Sequence, residues 1–213
     1  MGQHVTIPQA TVRYIQELSK TKTKERGFLF RLNANQELEI KKEFEGDSEF
    51  VTIPGSHRIT VHTHPTVLYG DLKYHPPTQT DLKEALFSAI RGKLMWDVVI
   101  SANGSWAYRP SKDLIEEAFA VQPDIVKVLG PPMVEGEKRR DINVNDDLFN
   151  LLDVLENNGG NNGARLAGVA PPEMKRLDLA EYISEMQNLL TDGMGFEVMY
   201  FPGDSAIRLP VIS

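Results

Sequence analysis

A chain of 213 residues, 41% of them hydrophobic and 25% charged, has the composition of a soluble globular protein with one substantial core or one domain plus an appendage. The absence of cysteine excludes a disulfide framework, thiolate metal ligands and a cysteine nucleophile. The net charge of −7 is uneven: residues 1–110 carry 14 Lys and Arg against 12 Asp and Glu, and residues 111–213 carry 9 against 18, so the second half is a poor surface for nucleic-acid phosphates.

The first half of the chain predicts a leading helix followed by antiparallel strands, a second helix and a hairpin, which is an α+β arrangement. The predicted elements are a helix over residues 8–19, strands over 27–33 and 37–44, one or two strands leading into 58–65, a helix ending at or shortly after Gly92, and a hairpin over 96–110. In the hairpin, the pair Asn103-Gly104 favours positive φ. We place the end of a first domain at residue 110.

Residues 111–213 predict an acidic α/β extension whose role the sequence does not reveal. The predicted elements are helices over 113–122, 146–158 and 177–190, a loop at 157–163 that is rich in Asn and Gly, and a second hairpin over 196–211. This region has no His-Xaa-His pattern, so we expect the chemistry to belong to residues 1–110.

The segment VHTHP at 61–65 carries the strongest chemical signal. His62 and His64 are two positions apart on a predicted strand, so both side chains lie on the same face and their imidazoles can converge on one ion. Asp81, at the start of the next helix, can add an oxygen ligand. Two histidines and one carboxylate, with a position left for water, form the donor set of catalytic zinc hydrolases.

Thr78 and Asp81 also have a structural interpretation. A Ser or Thr followed three residues later by an acidic residue can form a capping box, with Thr78 as the N-cap of the helix. The preceding Pro76-Pro77 fits this start of a helix. Because one carboxylate has limited capacity to cap and to bind a metal together, the two interpretations compete.

The combination of HTHP at the end of a strand with TQTD at the start of a helix resembles the JAMM motif of the JAB/MPN metalloprotease family. The core signature of that family is H-[ST]-H-P, a spacer and S-x-x-D, with a glutamate upstream, and the order of elements over residues 8–110 is also similar. The resemblance implies an MPN-like (cytidine-deaminase-like) mixed sheet flanked by helices. It also implies a Zn²⁺ cofactor held by His62, His64 and Asp81, and an isopeptidase or peptidase that hydrolyses the amide at the C-terminus of ubiquitin or a ubiquitin-like protein.

The same resemblance assigns two catalytic roles. Thr78 stands where the family usually has serine, and its hydroxyl would donate a hydrogen bond to the oxyanion. Glu25 would be the general base that passes a proton to the leaving amine. Glu25 is one residue closer to Gly27 than in the family pattern, and such a slip turns a side chain to the other face unless a bulge corrects it. The alternative is that Glu25 is a solvated charge in the basic stretch KTKTKER.

Two other functional classes fit parts of the pattern. A catalytically weak or inactive MPN-type scaffold would mediate protein–protein interaction through the acidic residues 111–213 and would need no base at Glu25. A barrel amidohydrolase also uses His-Xaa-His, but on an early strand of a fold of about 250 residues, whereas here three or more strands precede the motif.

The expected partners are conjugates of ubiquitin or ubiquitin-like proteins, with neither nucleic acid nor a membrane. No apolar run approaches the roughly 20 residues that cross a bilayer, and the first residues lack the apolar segment of a signal peptide. Nothing in the sequence argues for an oxidising compartment, so we expect a cytoplasmic protein.

Overall fold

The computed structural model describes residues 3–21, 23–46, 51, 53, 58–65, 75–92, 94–131 and 178–211. Within these residues the elements are β1 (His4–Ile7), α1 (Gln9–Thr21), β2 (Arg26–Leu32), β3 (Leu38–Glu45), β4 (Ile59–Thr63), α2 (Gln79–Ile90), β5 (Trp96–Ser101), β6 (Gly104–Pro110), α3 (Lys112–Val121), α4 (Ile125–Leu129), α5 (Leu179–Asp192), β7 (Phe196–Pro202) and β8 (Ile207–Pro210). The predicted helix over 146–158 and the loop at 157–163 lie outside the described residues. The described helices are all too short or too polar to span a bilayer.

A mixed sheet flanked by helices organises the described chain and confirms the predicted α+β class. Its described strands follow the order β3-β2-β4-β5-β6-β7. β4 and β5 are parallel, and the other described neighbours are antiparallel. A parallel pair requires a crossover connection, and α2 lies in that connection, between β4 and β5.

The two faces of the sheet carry separate apolar clusters, one under each of the first two helices. On one face, Val12 and Ile15 of α1 pack in a cluster with Val61 and Val98. The cluster of the other face joins apolar residues of α2, the sheet, α3 and α5, among them Leu82, Leu86, Val99, Tyr108, Leu114 and Met186. Side chains that alternate along β4 and β5 therefore belong alternately to the α1 face and the α2 face.

Residues on both sides of position 110 build one sheet and share one core. β7 pairs with β6 along its length, from Gly104 opposite Pro202 to Pro110 opposite Phe196. Met186 of α5 is fully buried in the α2-face cluster. The predicted division at residue 110 is therefore not visible in the described sheet, because ladder hydrogen bonds and apolar packing both cross it.

The predicted second hairpin over 196–211 is wrong. β7 pairs with β6, whereas β8 pairs antiparallel with β1 in a separate two-stranded sheet. β1 itself was not predicted from the sequence. Its partner β8 lies about two hundred positions along the chain, and such a pairing leaves no local signal.

The predicted hairpin over 96–110 is confirmed, but glycine has a different role in it. Gly104 is already part of β6, opposite Ser101, and neither Asn103 nor Gly104 has positive φ. A Cβ at Gly104 would lie 2.2 Å from the Tyr200 hydroxyl oxygen of β7. Glycine therefore leaves room here for the close approach of an aromatic side chain and does not serve the turn conformation.

Because the sheet and core continue across residue 110, Met186→Ala in α5 should lower the stability that the tryptophans in residues 96–110 report. We expect the free energy of unfolding to fall by about 2–5 kcal/mol, because the substitution leaves a cavity in a shared core. Trp96 and Trp106, the two tryptophans of the chain, both lie in the β5–β6 hairpin, so urea unfolding followed by tryptophan fluorescence gives the measurement.

Leu179→Ala on the same helix is the matched control, since Leu179 is 37% exposed and surface substitutions change stability by about 0.5 kcal/mol or less. A Met186→Ala variant that shifts the circular dichroism transition but not the tryptophan transition would show that residues 111–213 unfold as a separate unit.

Candidate metal centre

His62 and His64 lie where β4 ends, on the face covered by α2. The ring centroids are 5.1 Å apart, and the residues are 6% and 0% exposed. Beyond the last residue of β4, the His64 N–H donates to the Ile100 carbonyl of β5 at 3.3 Å. This bond continues the extended chain past the strand, so the alternation that puts both imidazoles on one face is preserved.

Asp81 reaches these histidines from the first turn of α2. Its Oδ1 lies 3.2 Å from His62 Nε2, and its Oδ2 lies 3.1 Å from His64 Nε2. One ligand atom from each of the three residues lies within 4.8 Å of the other two. The sequence-predicted ligand residues are therefore brought together, and the group can hold a metal ion.

The buried atoms of this group fit a metal ion better than a set of hydrogen bonds. His62 Nε2 is inaccessible to solvent and has no hydrogen-bond partner among the described residues. Asp81 Oδ1 lies 3.2 Å away without forming a hydrogen bond to it. Leaving such an atom unsatisfied costs about 1–3 kcal/mol, and a cation shared with the carboxylate removes that cost. Two nitrogens and one oxygen are donors that zinc accepts.

The charges around the group also favour a cation. Burial alone lowers the pKa of His62, but the neighbouring carboxylates of Asp81 and Asp97 outweigh burial and raise it well above its usual range. Burial alone raises the pKa of Asp81, but His62 and His64 outweigh burial and lower it well below its usual range. Asp81 is therefore an ionised carboxylate at neutral pH, as a metal ligand must be.

The capping box and the ligand group coexist at Thr78 and Asp81. The Thr78 backbone N–H and hydroxyl both donate to Asp81 Oδ2, at 2.6 and 2.7 Å, and the Asp81 N–H donates back to the Thr78 hydroxyl oxygen at 3.3 Å. These bonds converge on Oδ2 and leave Oδ1 directed at His62. The cap therefore orients the carboxylate instead of competing for it.

Thr78 uses its single hydroxyl proton on Asp81 in this structure. An ionised carboxylate has no proton to give, so the hydroxyl is the donor in the 2.7 Å contact with Asp81 Oδ2. An oxyanion donor at this position requires that hydrogen bond to be exchanged for one to the substrate. In this structure, Thr78 orients the Asp81 carboxylate through its two hydrogen bonds to Oδ2.

Glu25 lies beside the three ligands without belonging to their group. Its side chain is 3% exposed, so the interpretation of Glu25 as a solvated charge is wrong. Its Oε1 is 3.9 Å from His64 Nε2, and Glu25 is not among the residues whose ligand atoms all lie within 4.8 Å of one another. A second buried carboxylate thus faces the candidate metal position from the side of β2.

Pairing between β2 and β4 explains why Glu25 faces the histidines. Gly27 is the register partner of His62, and the Arg26 N–H donates to the Thr63 hydroxyl at 2.9 Å. Glu25, two residues before Gly27, falls on the same face as Gly27 because side chains alternate. The one irregularity in the described β2–β3 pairing lies between Leu29 and Phe30, so no bulge is needed near Glu25.

Sequence reasoning missed Asp97. This residue of β5 is 8% exposed, and its Oδ1 lies 3.5 Å from His62 Nδ1, the ring nitrogen that faces away from Asp81. A signal was present in the sequence, because Asp97 is a charged residue inside the apolar run WDVVI. A carboxylate in a buried strand is rarely found without a partner.

Comparison with known proteins gave no match to this chain among protein-family models, curated proteins or solved structures. The resemblance to the JAMM motif therefore depends on the residues of the motif.

The double role of Thr78 predicts that Thr78→Ala weakens metal binding as well as the helix cap. We expect a loss of about tenfold or more in zinc affinity, as for other residues that orient a ligand, and a loss of about 1 kcal/mol in stability from the missing cap. Competition with a chromogenic chelator measures the first, and urea unfolding of the metal-free protein measures the second.

Ser111→Ala is the matched control, because Ser111 caps α3 through the same kind of bond, from the Leu114 N–H at 3.2 Å. It should lose similar stability with unchanged zinc affinity, and Thr78→Ser should restore both properties. Equal zinc affinity in Thr78→Ala and Ser111→Ala would show that Thr78 is a cap and nothing more.

Proposed function

We propose that this chain is a zinc-dependent isopeptidase or peptidase that hydrolyses the amide bond at the C-terminus of ubiquitin or a ubiquitin-like protein. The observation that carries the proposal is the pair of distinct carboxylates on one face: Asp81 within the ligand group and Glu25 next to it. Hydrolysis at a metal centre requires groups that hold the metal and a separate group that moves a proton.

Glu25 favours a hydrolase over the other classes that share this donor set. Two histidines and one carboxylate also hold Fe(II) in oxygenases, but those enzymes need no carboxylate base beside the metal. A scaffold would need none either, and burying an ionisable side chain is costly. A carboxylate that is 3% exposed and 3.9 Å from a ligand nitrogen is explained by a catalytic role.

The side chains divide the chemistry between them. A bound zinc would polarise the amide carbonyl and make water acidic enough to attack at neutral pH. His62, His64 and Asp81 would hold the ion, and the bonds from Thr78 to Oδ2 would keep the Asp81 carboxylate in place. Glu25 would accept a proton on its carboxylate and deliver it to the nitrogen of the leaving amine, as a general base that becomes a general acid.

The fold and the motif together support the amide substrate class. The sheet has α1 on one face and α2 on the other, and HTHP closes a strand while Thr78 and Asp81 open the crossover helix. The JAB/MPN resemblance implies a mixed sheet flanked by helices, and members of the family that it resembles typically act on conjugates of ubiquitin or ubiquitin-like proteins. We therefore propose an MPN-like fold with this substrate class.

Glu25→Gln should separate metal binding from catalysis. We expect about one zinc per chain in the wild type and in Glu25→Gln, and none in His64→Ala, because glutamine removes the base and leaves the three ligands intact. Cleavage of a C-terminal amide of ubiquitin should fall by about 10²–10⁴-fold in Glu25→Gln, the usual contribution of a general base. Elemental analysis and a fluorogenic amide assay make the two measurements on the same samples.

Glu45→Gln is the control for a general change of charge, since Glu45 pairs with Arg26, the neighbour of Glu25, at 2.5 Å on a more exposed surface. It should keep both zinc and activity. A wild type without zinc, even after reconstitution, would contradict the proposal. Zinc without cleavage would point to the scaffold, and iron in place of zinc would point to the oxygenase class.

A further inference from the structure

We infer that Asp97 is a positioning residue of the metal centre, whose carboxylate holds the His62 ring with Nε2 directed at the ion. The inference rests on the metal site of the proposed function but not on the identity of the substrate.

The geometry assigns opposite roles to the two nitrogens of His62. Nε2 lies 3.2 Å from Asp81 Oδ1, and Nδ1 lies 3.5 Å from Asp97 Oδ1. Neutral imidazole carries one N–H and one lone pair, so a lone pair on Nε2 for a metal requires the proton on Nδ1. Asp97 Oδ1 faces that nitrogen at 3.5 Å and has no hydrogen-bond partner among the described residues, so it is free to accept from the Nδ1 proton. A carboxylate behind a histidine ligand selects its tautomer and fixes the ring plane in many zinc sites.

The surroundings of Asp97 give it no other ionic partner in the described structure. Its side chain lies on the α2 face of β5, together with Val99 in the apolar cluster. Among the described residues, the basic side chain that lies within ion-pair distance of Asp97 is His62, at 3.5 Å. A carboxylate in such a layer costs several kcal/mol unless it is compensated, so its presence in β5 is best explained by the His62 ring.

Tyr108 lies next to Asp97 on the neighbouring strand, β6. It is the register partner of Asp97 on β6 and is fully buried. Burial, and then the charge of Asp97, raise the pKa of the Tyr108 hydroxyl well above its usual range, so the hydroxyl stays protonated and neutral. The group opposite Asp97 is therefore neutral, and the Asp97 carboxylate remains available to His62.

The test compares Asp97→Ala, Asp97→Asn and Tyr108→Phe for zinc binding and for the tautomer of His62. Competition with a chromogenic chelator should show a 10–100-fold loss of zinc affinity in Asp97→Ala, which equals about 1.4–2.7 kcal/mol. Asp97→Asn should lose less, because its amide oxygen can still accept from Nδ1. Tyr108→Phe keeps the carboxylate and should bind zinc nearly as well as the wild type.

Nitrogen-15 spectra of the imidazoles supply a readout that a purely structural role of Asp97 would not change. In the zinc-loaded wild type, His62 should show a proton on Nδ1, and in Asp97→Ala this single state should be lost. Should Asp97→Ala fail to fold, Asp97→Leu, which has nearly the same shape and no acceptor, provides both measurements.

Zinc affinity and a His62 tautomer that are unchanged in the Asp97 variant without an acceptor would overturn the inference, as would a wild type that binds no zinc. Neither readout involves amide cleavage. A zinc-loaded wild type that cleaves no amide would therefore overturn the proposed function while the assignment of Asp97 stood.

Discussion

The candidate site depends on the position of β4 in the interior of the sheet, where it is hydrogen-bonded to β2 on one side and to β5 on the other. The register pairs His62 with Gly27 of β2 and with Val99 of β5. Each neighbouring segment then adds an acidic residue two positions from the partner of His62: Glu25, just before β2, and Asp97 in β5. Because side chains alternate along strands, both carboxylates fall on the face of the histidines.

The third carboxylate is placed by packing on the same face. The parallel pairing of β4 and β5 requires a crossover, and Leu82 and Leu86 of its helix are fully buried against the sheet. This apolar contact puts the N-terminal turn of α2 over the end of β4. The hydrogen bonds from Thr78 then orient Asp81 toward His62. Non-directional burial thus positions the helix, and directional hydrogen bonds position the ligand.

Two buried polar atoms belong to the candidate site. His62 Nε2 and Asp97 Oδ1 are inaccessible to solvent and have no hydrogen-bond partner among the described residues. A protein ordinarily satisfies such groups, and the exceptions tend to mark functional sites. Asp97, His62 and Asp81 lie in a row, with Asp97 next to Nδ1 of His62 and Asp81 next to Nε2. A cation shared by His62 and Asp81 would give His62 Nε2 a partner.

The sequence by itself determined what is encoded locally. The helical spacing of α1, the capping residues of α2, the β5–β6 hairpin and the shared face of His62 and His64 all follow from neighbours within a few positions, and the structure bears them out. Only the tertiary structure decided which strand lies beside which. It pairs β8 with β1 and β7 with β6, it turns Glu25 toward the histidines, and it brings Asp97 behind His62. These outcomes depend on the register between segments distant in the chain, and such a register is selected by burial of whole faces rather than by any local pattern.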